Sequence, residues 1–480
     1  MNLEISKGTK NISSNNLIVL TKKDSDFKQF CFSDKEIIFA NKNIEKDITQ
    51  ITITQDDRYI FLVLIDEDTF TFQNKEKVRK AAYKLHKEII GLKINDVCIQ
   101  TNLDNSEIIL LLAEGLALSN YQFLKYFTDE LDKKKNSLEK IKIVDSKITD
   151  MQISEMNSII KAVFKTKDLI NEPVSYLNSV QLANEFEKMS NEAGFSIDIF
   201  DEKKIKQLKM GGLLAVNQGS IDPPRFSIME WKPENAKNKK PVIIVGKGLV
   251  YDTGGLSLKP TKGMDSMKSD MSGGAAVAGL FYAVAKQKLP VHIIGLVPST
   301  DNRPDGNAYA PGDVVKMHNG LNVEVLNTDA EGRMILADAL SFSEKYEPEL
   351  VIDIATLTGS AAIATGKEAT VVMGNADDKT FDILEKSGNE VFERVSRFPF
   401  WDEYNEMLKS DIADLQNIGG REAGAITAGK FLEHFTKSPF IHIDIAGTAF
   451  LSGTDSYKGK GATGVGVRLL YEFLKQSIVK

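Results

Sequence analysis

The pattern of hydrophobic and polar positions in the first 150 residues alternates between short apolar runs and longer stretches with helical periodicity. Runs of strand length stand at 58–66, 96–101 and 140–145, and helical stretches stand at 74–93 and 106–127. Strands that alternate with helices are typical of α/β layers with a mainly parallel sheet. This part of the chain is therefore predicted to be a small α/β domain.

The pattern changes after about residue 175, where glycines become denser and the apolar runs become nearly continuous. Strands are predicted within 291–299, 322–327, 350–359 and 440–448, helices within 273–287, 333–346 and 423–435, and a strand, turn, strand, turn series within 241–255. Continuous apolar strands indicate a central, mostly parallel sheet that helices cover on both faces. Ligands of such sheets bind at the carboxyl ends of the strands, so polar residues that follow strands are the candidates for chemistry.

Length and composition agree with two unequal α/β domains. At roughly 100–200 residues per domain, 480 residues suffice for two to four domains. The helical stretch 152–171 ends before Pro173, so it is predicted to be a linker. The predicted division is an N-terminal α/β domain at 1–150, a linker helix at 151–172 and a larger C-terminal α/β domain at 173–480.

Charge and cysteine content narrow the function classes. The net charge of -7 disfavours non-specific binding to nucleic acid or to an anionic membrane. The two cysteines, Cys31 and Cys98, form no metal or redox motif, which favours a reducing compartment. The polar N-terminus lacks the apolar core of a signal peptide, and no run reaches the ~18–20 apolar residues of a spanning helix. A cytoplasmic protein is predicted.

Four carboxylates and two lysines fall at predicted junctions between strands, turns and helices: Lys247, Asp252, Lys259, Asp270, Asp329 and Glu331. One interpretation is local. Thr328 and Glu331 fit the S/T-x-x-E capping box, and Asp270 precedes a predicted helix as an N-cap would.

The other interpretation is a metal site. Four carboxylates brought together would repel one another and could not be buried unpaired, whereas two divalent cations would balance their charge. Carboxylate sites that bridge two metals ~3.5–4 Å apart are a known catalytic device. The five histidines form no metal-binding pair in the sequence, so oxygen atoms would supply most ligands. One lysine could ligate a metal once deprotonated, and a protonated lysine could polarise a carbonyl; spacing does not assign these roles.

Several motifs in one order resemble a known family. "NTDAEGR" (327–333) closely resembles the signature of the leucyl aminopeptidases of the M17 type, which are cytosolic dinuclear-metal exopeptidases. "DLINEP", "GGLLAVNQGSIDPPR", "VGKGLVYDTGGLSLKP", "MDSMKSDMSGGAA", "IATLTG", "GGREAGAITAGKFL" and "HIDIAGTA" also look like family segments. The resemblance spans 165–480, whereas the first 150 residues agree only in position and α/β pattern.

The resemblance implies a role for each matched residue. Asp252 and Glu331 would bridge two divalent ions, Zn²⁺, Mn²⁺ or Mg²⁺; Lys247 and Asp270 would complete the tighter metal site, and Asp329 the more exchangeable one. Lys259 would stay protonated and polarise the scissile carbonyl, and Arg333 would hold a bicarbonate ion that serves as general base. The implied substrate-binding residues are Met267, Thr356, Leu357, Gly359, Ala446 and Ala449. Ser272 stands where many family members carry glycine or another small residue.

The implied activity is release of N-terminal leucine and other apolar residues from peptides, with broad specificity, by a homohexamer. An alternative adds a nucleic-acid-binding regulatory role, for which the lysine-rich segments 77–87 and 132–142 are the candidates, although both can equally be solvated surfaces. A third hypothesis, a two-metal phosphoesterase, uses the same carboxylates but gains nothing from Lys247, and the chain has no phosphate-binding loop.

Overall fold

The computed structural model describes residues 3–8, 16–30, 32–55, 57–65, 71–105 and 107–479. The chain forms two compact units, Met1–Ile160 with Gly453–Gly459, and Lys161–Ser452 with Lys460–Lys480. The division falls inside a single long helix, and a short C-terminal segment belongs to the first unit. The predicted domain limits therefore remain a prediction. Cys31 lies outside the described residues, and Cys98 is a buried free thiol.

The first unit contains a six-stranded sheet. Its elements are β1 Glu4–Lys7, β2 Leu17–Thr21, α1 Asp34–Ile44, β3 Gln50–Thr54, β4 Tyr59–Leu64, α2 Phe72–Gly91, β5 Asp96–Thr101, α3 Glu107–Ser119, α4 Leu131–Lys134 and β6 Lys140–Val144. The strand order is β1-β6-β5-β2-β4-β3, and every described pairing is parallel except β3 with β4. The predicted mainly parallel α/β layer is confirmed.

Helix α3 ends earlier than its apolar pattern predicts. The pattern continues to residue 127, but the helix stops at Ser119. The next residue, Asn120, is buried and donates from Nδ2 to the Leu138 carbonyl (2.9 Å), while its Oδ1 contacts His86 Nε2 (2.9 Å). These tertiary hydrogen bonds fix Asn120 and turn the chain away from the helix axis.

The basic segment 77–87 lies within α2, and part of its charge is neutralised inside the unit. Arg79 is buried, and its Nε lies 2.6 Å from a Glu114 carboxylate oxygen; its Nη1 lies 3.8 Å from Glu76. Tyr457 donates to the same Glu76 oxygen, Oε2, at 2.9 Å. The geometry adds nothing in favour of a nucleic-acid surface here.

The second unit is larger and is built around a nine-stranded sheet. Its helices are α5 Asp150–Asn171 (from Lys161 onward), α6 Ser179–Ala193, α7 Glu202–Gln207, α8 Gly211–Asn217, α9 Thr261–Met264, α10 Ser272–Lys286, α11 Glu331–Ser343, α12 Gly359–Thr365, α13 Asp378–Val391, α14 Gly424–Glu433 and α15 Val467–Leu474. Its strands are β7 Ser196–Phe200, β8 Arg225–Trp231, β9 Val242–Gly246, β10 Gly248–Asp252, β11 Ile293–Asn302, β12 Val314–Lys316, β13 Asn322–Glu324, β14 Leu350–Ala355, β15 Thr370–Gly374, β16 Val395–Arg397, β17 Leu415–Gln416, β18 Phe440–Asp444, β19 Phe450–Asp455 (to Ser452 in this unit) and β20 Gly459–Ala462 (from Lys460).

The centre of this sheet is parallel and buried, as the apolar strands predict. The order is β16-β15-β18-β14-β9-β11-β8-β7, with β10 on β11, and β18, β14, β9 and β11 run parallel. Every residue of β9, β11, β14 and β18 is buried. The predicted strand at 322–327 is shorter, and it belongs to a separate sheet, β12-β13-β17. Small residues let α10 approach the main sheet: a Cβ on Gly273 would lie 2.0 Å from the Ile354 carbonyl oxygen.

The predicted turn between β9 and β10 is a one-residue interruption without a chain reversal. Both strands pair in parallel with β11, β9 at Ile293–Leu296 and β10 from Ser299 onward. Lys247 is the interrupting residue. Its amide donates to the Ile354 carbonyl of β14 (3.1 Å), and its carbonyl accepts from the Gly274 amide in α10 (2.8 Å). The break aims the Lys247 side chain at the carboxyl edge of the sheet.

Across the described ranges, no helix combines the length and apolar character needed to cross a membrane.

Candidate metal centre

The structure gathers the six charged residues that the sequence singles out at the carboxyl edge of the central sheet. Lys247 separates β9 from β10, Asp252 ends β10, and Glu331 opens α11. Lys259 lies in the loop after β10, Asp270 lies just before α10, and Asp329 lies in the loop that leads into α11. Topology thus brings together side chains from four separate parts of the chain.

Two lysine ammonium groups lie between the carboxylates. Lys247 Nζ is 2.7 Å from Asp270 Oδ2 and 2.9 Å from Glu331 Oε1. Lys259 Nζ is 2.7 Å from Asp252 Oδ2 and 2.5 Å from Asp329 Oδ1. Four carboxylates against two ammonium groups leave two negative charges unbalanced when all are ionised.

The electrostatic state of the cluster follows from burial and mutual repulsion. Burial and the nearby Asp252 carboxylate raise the pKa of Glu331 to about 8, and the same two causes raise the pKa of Asp329. Burial raises the pKa of Asp270, although Lys247 acts in the opposite direction. For the lysines, burial disfavours the charged form, but the surrounding carboxylates outweigh it and hold the pKa of Lys247 and of Lys259 above the ordinary value. The cluster is short of positive charge.

The donor set fits divalent metal ions. Asp252, Asp329 and Glu331 can each offer one carboxylate oxygen, and these atoms lie within 4.8 Å of one another. Glu331 Oε2 is buried and has no hydrogen-bond partner within the part of the chain that the structure describes, which for a buried carboxylate oxygen is costly unless a cation occupies the place. Hard oxygen donors suit Mg²⁺ and Mn²⁺, and carboxylates also ligate Zn²⁺.

The capping-box prediction for the start of α11 is wrong. The residue before the helix is Ala330, and no side chain caps it. The Thr328 hydroxyl instead donates to the Gly254 carbonyl (2.7 Å) and accepts from the Ser257 amide (2.8 Å). Thr328 therefore joins the loop after β10 to the loop before α11, and Glu331 is left for the cluster.

The N-cap prediction for Asp270 is also wrong, because Met271 precedes α10 and makes no side-chain cap. Asp270 Oδ1 accepts a hydrogen bond from the Thr356 hydroxyl (2.7 Å), and Oδ2 faces Lys247. The neighbouring Ser272 is buried and donates to the Ser269 carbonyl, so a hydroxyl is accommodated where a smaller residue would also fit.

Asn302, which sequence reasoning missed, supports two parts of the cluster. Its buried Nδ2 donates to Asp252 Oδ1 (2.9 Å) and to the Thr328 carbonyl (2.9 Å). The Gly254 amide donates to the same Asp252 oxygen at 2.8 Å. Because both donors hold Oδ1, Oδ2 is the oxygen directed at Lys259. The sequence did carry a signal for Asn302, since it is a polar residue at the end of strand β11.

Glycine is required at two places beside the cluster. A Cβ on Gly332 would lie 2.5 Å from Lys247 Cε and 2.6 Å from its Nζ, so a side chain there would displace the lysine. Gly254 has a φ of +87°, and a Cβ would approach Asp329 Oδ1 at 3.0 Å. The glycines of "DTGG" and "AEGR" therefore make room for the charged side chains.

Arg333 lies in the first turn of α11 and is buried. Its Nη1 donates to the Asn417 carbonyl (2.7 Å), and its Nε has no hydrogen-bond partner among the described residues. Burial lowers the pKa of Arg333 to about 10. The carboxylates of Glu331 and Asp444 act in the opposite direction, because they favour the charged form. A buried guanidinium with a spare donor can bind a small anion.

The residues predicted to bind substrate lie on neighbouring segments. Met267 and Thr356 are half-buried, Leu357 is half-buried, and Gly359 is exposed at the start of α12. Ala446 is half-buried in the loop after β18, whereas Ala449 is 1% exposed. Thr356 touches the cluster directly, because its carbonyl accepts from Lys247 Nζ at 3.1 Å.

The five histidines serve elsewhere. Each contacts a different partner: His86 with Asn120, His292 with Glu230, His318 with the Leu208 carbonyl, His434 with Asn405, and His442 with Asp353. The described oxygen cluster includes no histidine, as the sequence predicts.

Comparison with known proteins gives one family. Residues 164–471 match the catalytic domain of the cytosol aminopeptidase family. A probable cytosol aminopeptidase of Chlorobaculum tepidum is 43% identical over 416 residues, which are 83% of this chain and 82% of that protein. One of Chloroherpeton thalassium is 50% identical over 312 residues, 64% of this chain and 61% of that protein.

Solved structures share the fold over nearly the whole chain. A mutant of tomato leucine aminopeptidase has a TM-score of 0.87 at 25% identity, covering 99% of this chain and 97% of its own. The bottromycin maturation enzyme BotP in complex with Mn has a TM-score of 0.85 at 26% identity, covering 96% and 99%.

Proposed function

Since this chain belongs to the cytosol aminopeptidase family, we propose that its buried carboxylate cluster is the dinuclear metal centre of the enzyme. The chain is a metal-dependent aminopeptidase, a hydrolase that releases N-terminal residues from peptides. The observation that carries the proposal is the buried, unpartnered Glu331 Oε2 in a cluster with excess negative charge.

Five residues would hold the two ions. Asp252 and Glu331 would bridge them, Lys247 and Asp270 would complete one site, and Asp329 would complete the other. When bound, the ions supply Lewis acidity, which activates a water molecule and polarises the scissile carbonyl. Lys247 must first release the proton that its carboxylate neighbours now favour, so metal uptake should release protons.

Lys259 has a different task. Its side chain is 21% exposed, so it can reach a substrate, and the carboxylates of Asp252, Glu331 and Asp329 keep it protonated. A protonated Lys259 can donate a hydrogen bond to the carbonyl oxygen of the first peptide bond as negative charge develops there.

Arg333 would hold the general base. A bicarbonate ion would take the unpartnered Nε–H, while Nη1 stays bound to the Asn417 carbonyl and fixes the guanidinium plane. Bound there, the anion would supply general-base chemistry, and Arg333 would hold and orient it.

The first side chain of the substrate would lie among Met267, Thr356, Ala446 and Ala449, with Leu357 and Gly359 contacting the peptide backbone. These small and apolar residues favour leucine and similar side chains. Such pockets separate one methylene group by only ~1–3 kcal/mol, so broad specificity is expected.

The bound ions are proposed to be Zn²⁺ or Mn²⁺, with Mg²⁺ as a third candidate; the manganese complex of BotP supports Mn²⁺. A homohexamer in the cytoplasm is proposed as the working form, and the relatives' name, cytosol aminopeptidase, supports that location.

The test is hydrolysis of leucine para-nitroanilide by the purified chain as isolated, after a chelator, and after Mn²⁺ or Zn²⁺ is restored. We expect loss and recovery of activity, and none from Asp252→Ala. Asp265→Ala, which removes an exposed nearby carboxylate, should behave like wild type. Equal loss in both variants, or no activity of the metal-replete wild type on a broad peptide panel, would refute the proposal.

A further inference from the structure

A buried carboxylate outside the metal cluster joins the two loops that carry the proposed substrate-binding residues. Asp444 ends β18 and is 1% exposed. Its Oδ1 accepts from the Leu357 amide (3.1 Å) and the Ala446 amide (3.1 Å), and its Oδ2 accepts from the Thr358 hydroxyl (2.7 Å). One side chain thus holds residues from the loop after β14 and from the loop after β18.

The hydrogen bond from the Thr358 hydroxyl connects Asp444 to helix α12 as well. Thr358 is the N-cap of α12, and its hydroxyl oxygen accepts from the Ala361 amide at 3.0 Å while donating to Asp444. The first residue of that helix is Gly359. The orientation of Asp444 therefore sets where both Leu357 and the start of α12 stand.

The two loops are also closely packed. The Ile445 amide donates to the Ala355 carbonyl at 2.8 Å, which continues the strand pairing into the loops. A Cβ on Gly447 would lie 2.2 Å from the Gly366 carbonyl oxygen and 3.2 Å from Ala362 Cα. With backbone this close, a change at Asp444 cannot be absorbed by one loop alone, so it alters the spacing between them.

We propose that Asp444 is a positioning residue that sets the width of the first side-chain pocket and thereby its selectivity. The inference rests on the proposed function, because Ala446 lines the pocket, and Leu357 and Gly359 contact the substrate backbone beside it, only if that assignment holds. Asp444 contacts no proposed metal ligand, so its loss should change which side chain is preferred more than how tightly metal binds.

The experiment compares kcat/KM for leucine, alanine and phenylalanine para-nitroanilides in Asp444→Ala and Thr358→Val, with Mn²⁺ affinity measured by titration calorimetry. Well-formed pockets separate a methylene by roughly 10–200-fold, so we expect the leucine-to-alanine ratio to fall at least about fivefold. Mn²⁺ affinity should stay within about twofold. Thr358→Ser keeps the hydroxyl and should retain the wild-type ratio. Asp444→Asn keeps one acceptor oxygen but puts a donor amide where the Thr358 hydroxyl needs an acceptor, so it should recover the ratio only in part.

A matched control separates positioning from general destabilisation. Asp338→Ala removes another buried carboxylate that accepts backbone hydrogen bonds, from the Leu213 and His318 amides (both 2.9 Å). It should lower the unfolding temperature and leave the ratio unchanged. If Asp444→Ala does not fold, Thr358→Val decides. An unchanged ratio in the folded variants overturns the inference, whereas an inactive wild type would instead overturn the proposed function.

Discussion

Helix α11 carries two buried carboxylates that differ in what occupies their oxygen atoms. Glu331, at its start, faces Lys247 with one oxygen and leaves the other without a partner. Asp338, about two turns along, has both oxygens filled by backbone amides of Leu213 and His318. Burial raises the pKa of both, to about 8 and about 7. A raised pKa therefore does not by itself separate the proposed metal ligand from the structural carboxylate; the two differ in whether both oxygens have hydrogen-bond partners among the described residues.

The same distinction holds within the cluster. Asp252 Oδ1 is saturated by Asn302 and the Gly254 amide, and only Oδ2 is directed at Lys259. Each of the proposed ligands Glu331 and Asp252 therefore has one oxygen that no neutral donor of the described residues occupies.

The largest expected effect comes from neutralising the two α11 carboxylates in turn. Glu331→Gln should weaken Mn²⁺ binding and lower kcat/KM by more than the roughly 10–100-fold that loss of an outer partner causes, because it removes a ligand. Asp338→Asn should leave Mn²⁺ binding and kcat/KM unchanged. It should lower the free energy of unfolding by about 1–3 kcal/mol at pH 6, because the amide leaves a backbone donor unpaired. Titration calorimetry, peptidase kinetics and thermal unfolding measure these; equal loss of Mn²⁺ affinity in both variants would contradict the comparison.

An intermediate effect is expected at Asn302. Asn302→Ala frees Asp252 Oδ1 and the Thr328 carbonyl, so the carboxylate can rotate, and Mn²⁺ affinity should fall about 10–100-fold. The control is Asn217→Ala, which removes a similar double donor to the Asp222 carbonyl and the Thr300 hydroxyl away from the cluster. The Mn²⁺ affinity of Asn217→Ala should match that of wild type. Calorimetry that finds Asn302→Ala unaffected would remove Asn302 from the site.

The smallest expected effect is a pH dependence of stability at Asp338. Burial raises its pKa to about 7 from an ordinary value of 3.8, although the backbone amides act to lower it. The folded state therefore retains a proton that the unfolded state releases. The stability that Asp338 contributes is complete below about pH 4 and is lost as the pH rises to about 7, with a slope of at most about 1.4 kcal/mol per pH unit.

Thermal unfolding of wild type and Asp338→Asn, both in chelator, measures this effect between pH 5 and 8. The difference between their unfolding temperatures should narrow as the pH rises to about 7 and stay constant above it. A difference that stays constant from pH 5 to 8 would contradict the prediction, because it would show that Asp338 is already ionised in the fold throughout this range.

Most elements and the six charged residues of the cluster follow from sequence patterns alone. Apolar periodicity located most strands and helices of both units, because burial on one or two faces imposes it. The charged residues were found because a dinuclear site needs several carboxylates, and parallel strands bring their carboxyl ends to one edge. Misplaced limits, such as the end of α3 at Ser119, arose where a buried polar residue found a distant partner.

Contacts that form only in the folded chain set which oxygen atoms are free. Thr328 and Glu331 satisfy a local capping pattern, yet the Thr328 hydroxyl bonds to Gly254, 74 residues away. One Asp338 oxygen accepts from the Leu213 amide, 125 residues away. The Asp444 oxygens accept from the Leu357 amide and the Thr358 hydroxyl, which are 87 and 86 residues away. A local pattern reports which residues can donate, accept or be buried. The hydrogen-bond partners of each oxygen come within reach only when the chain folds.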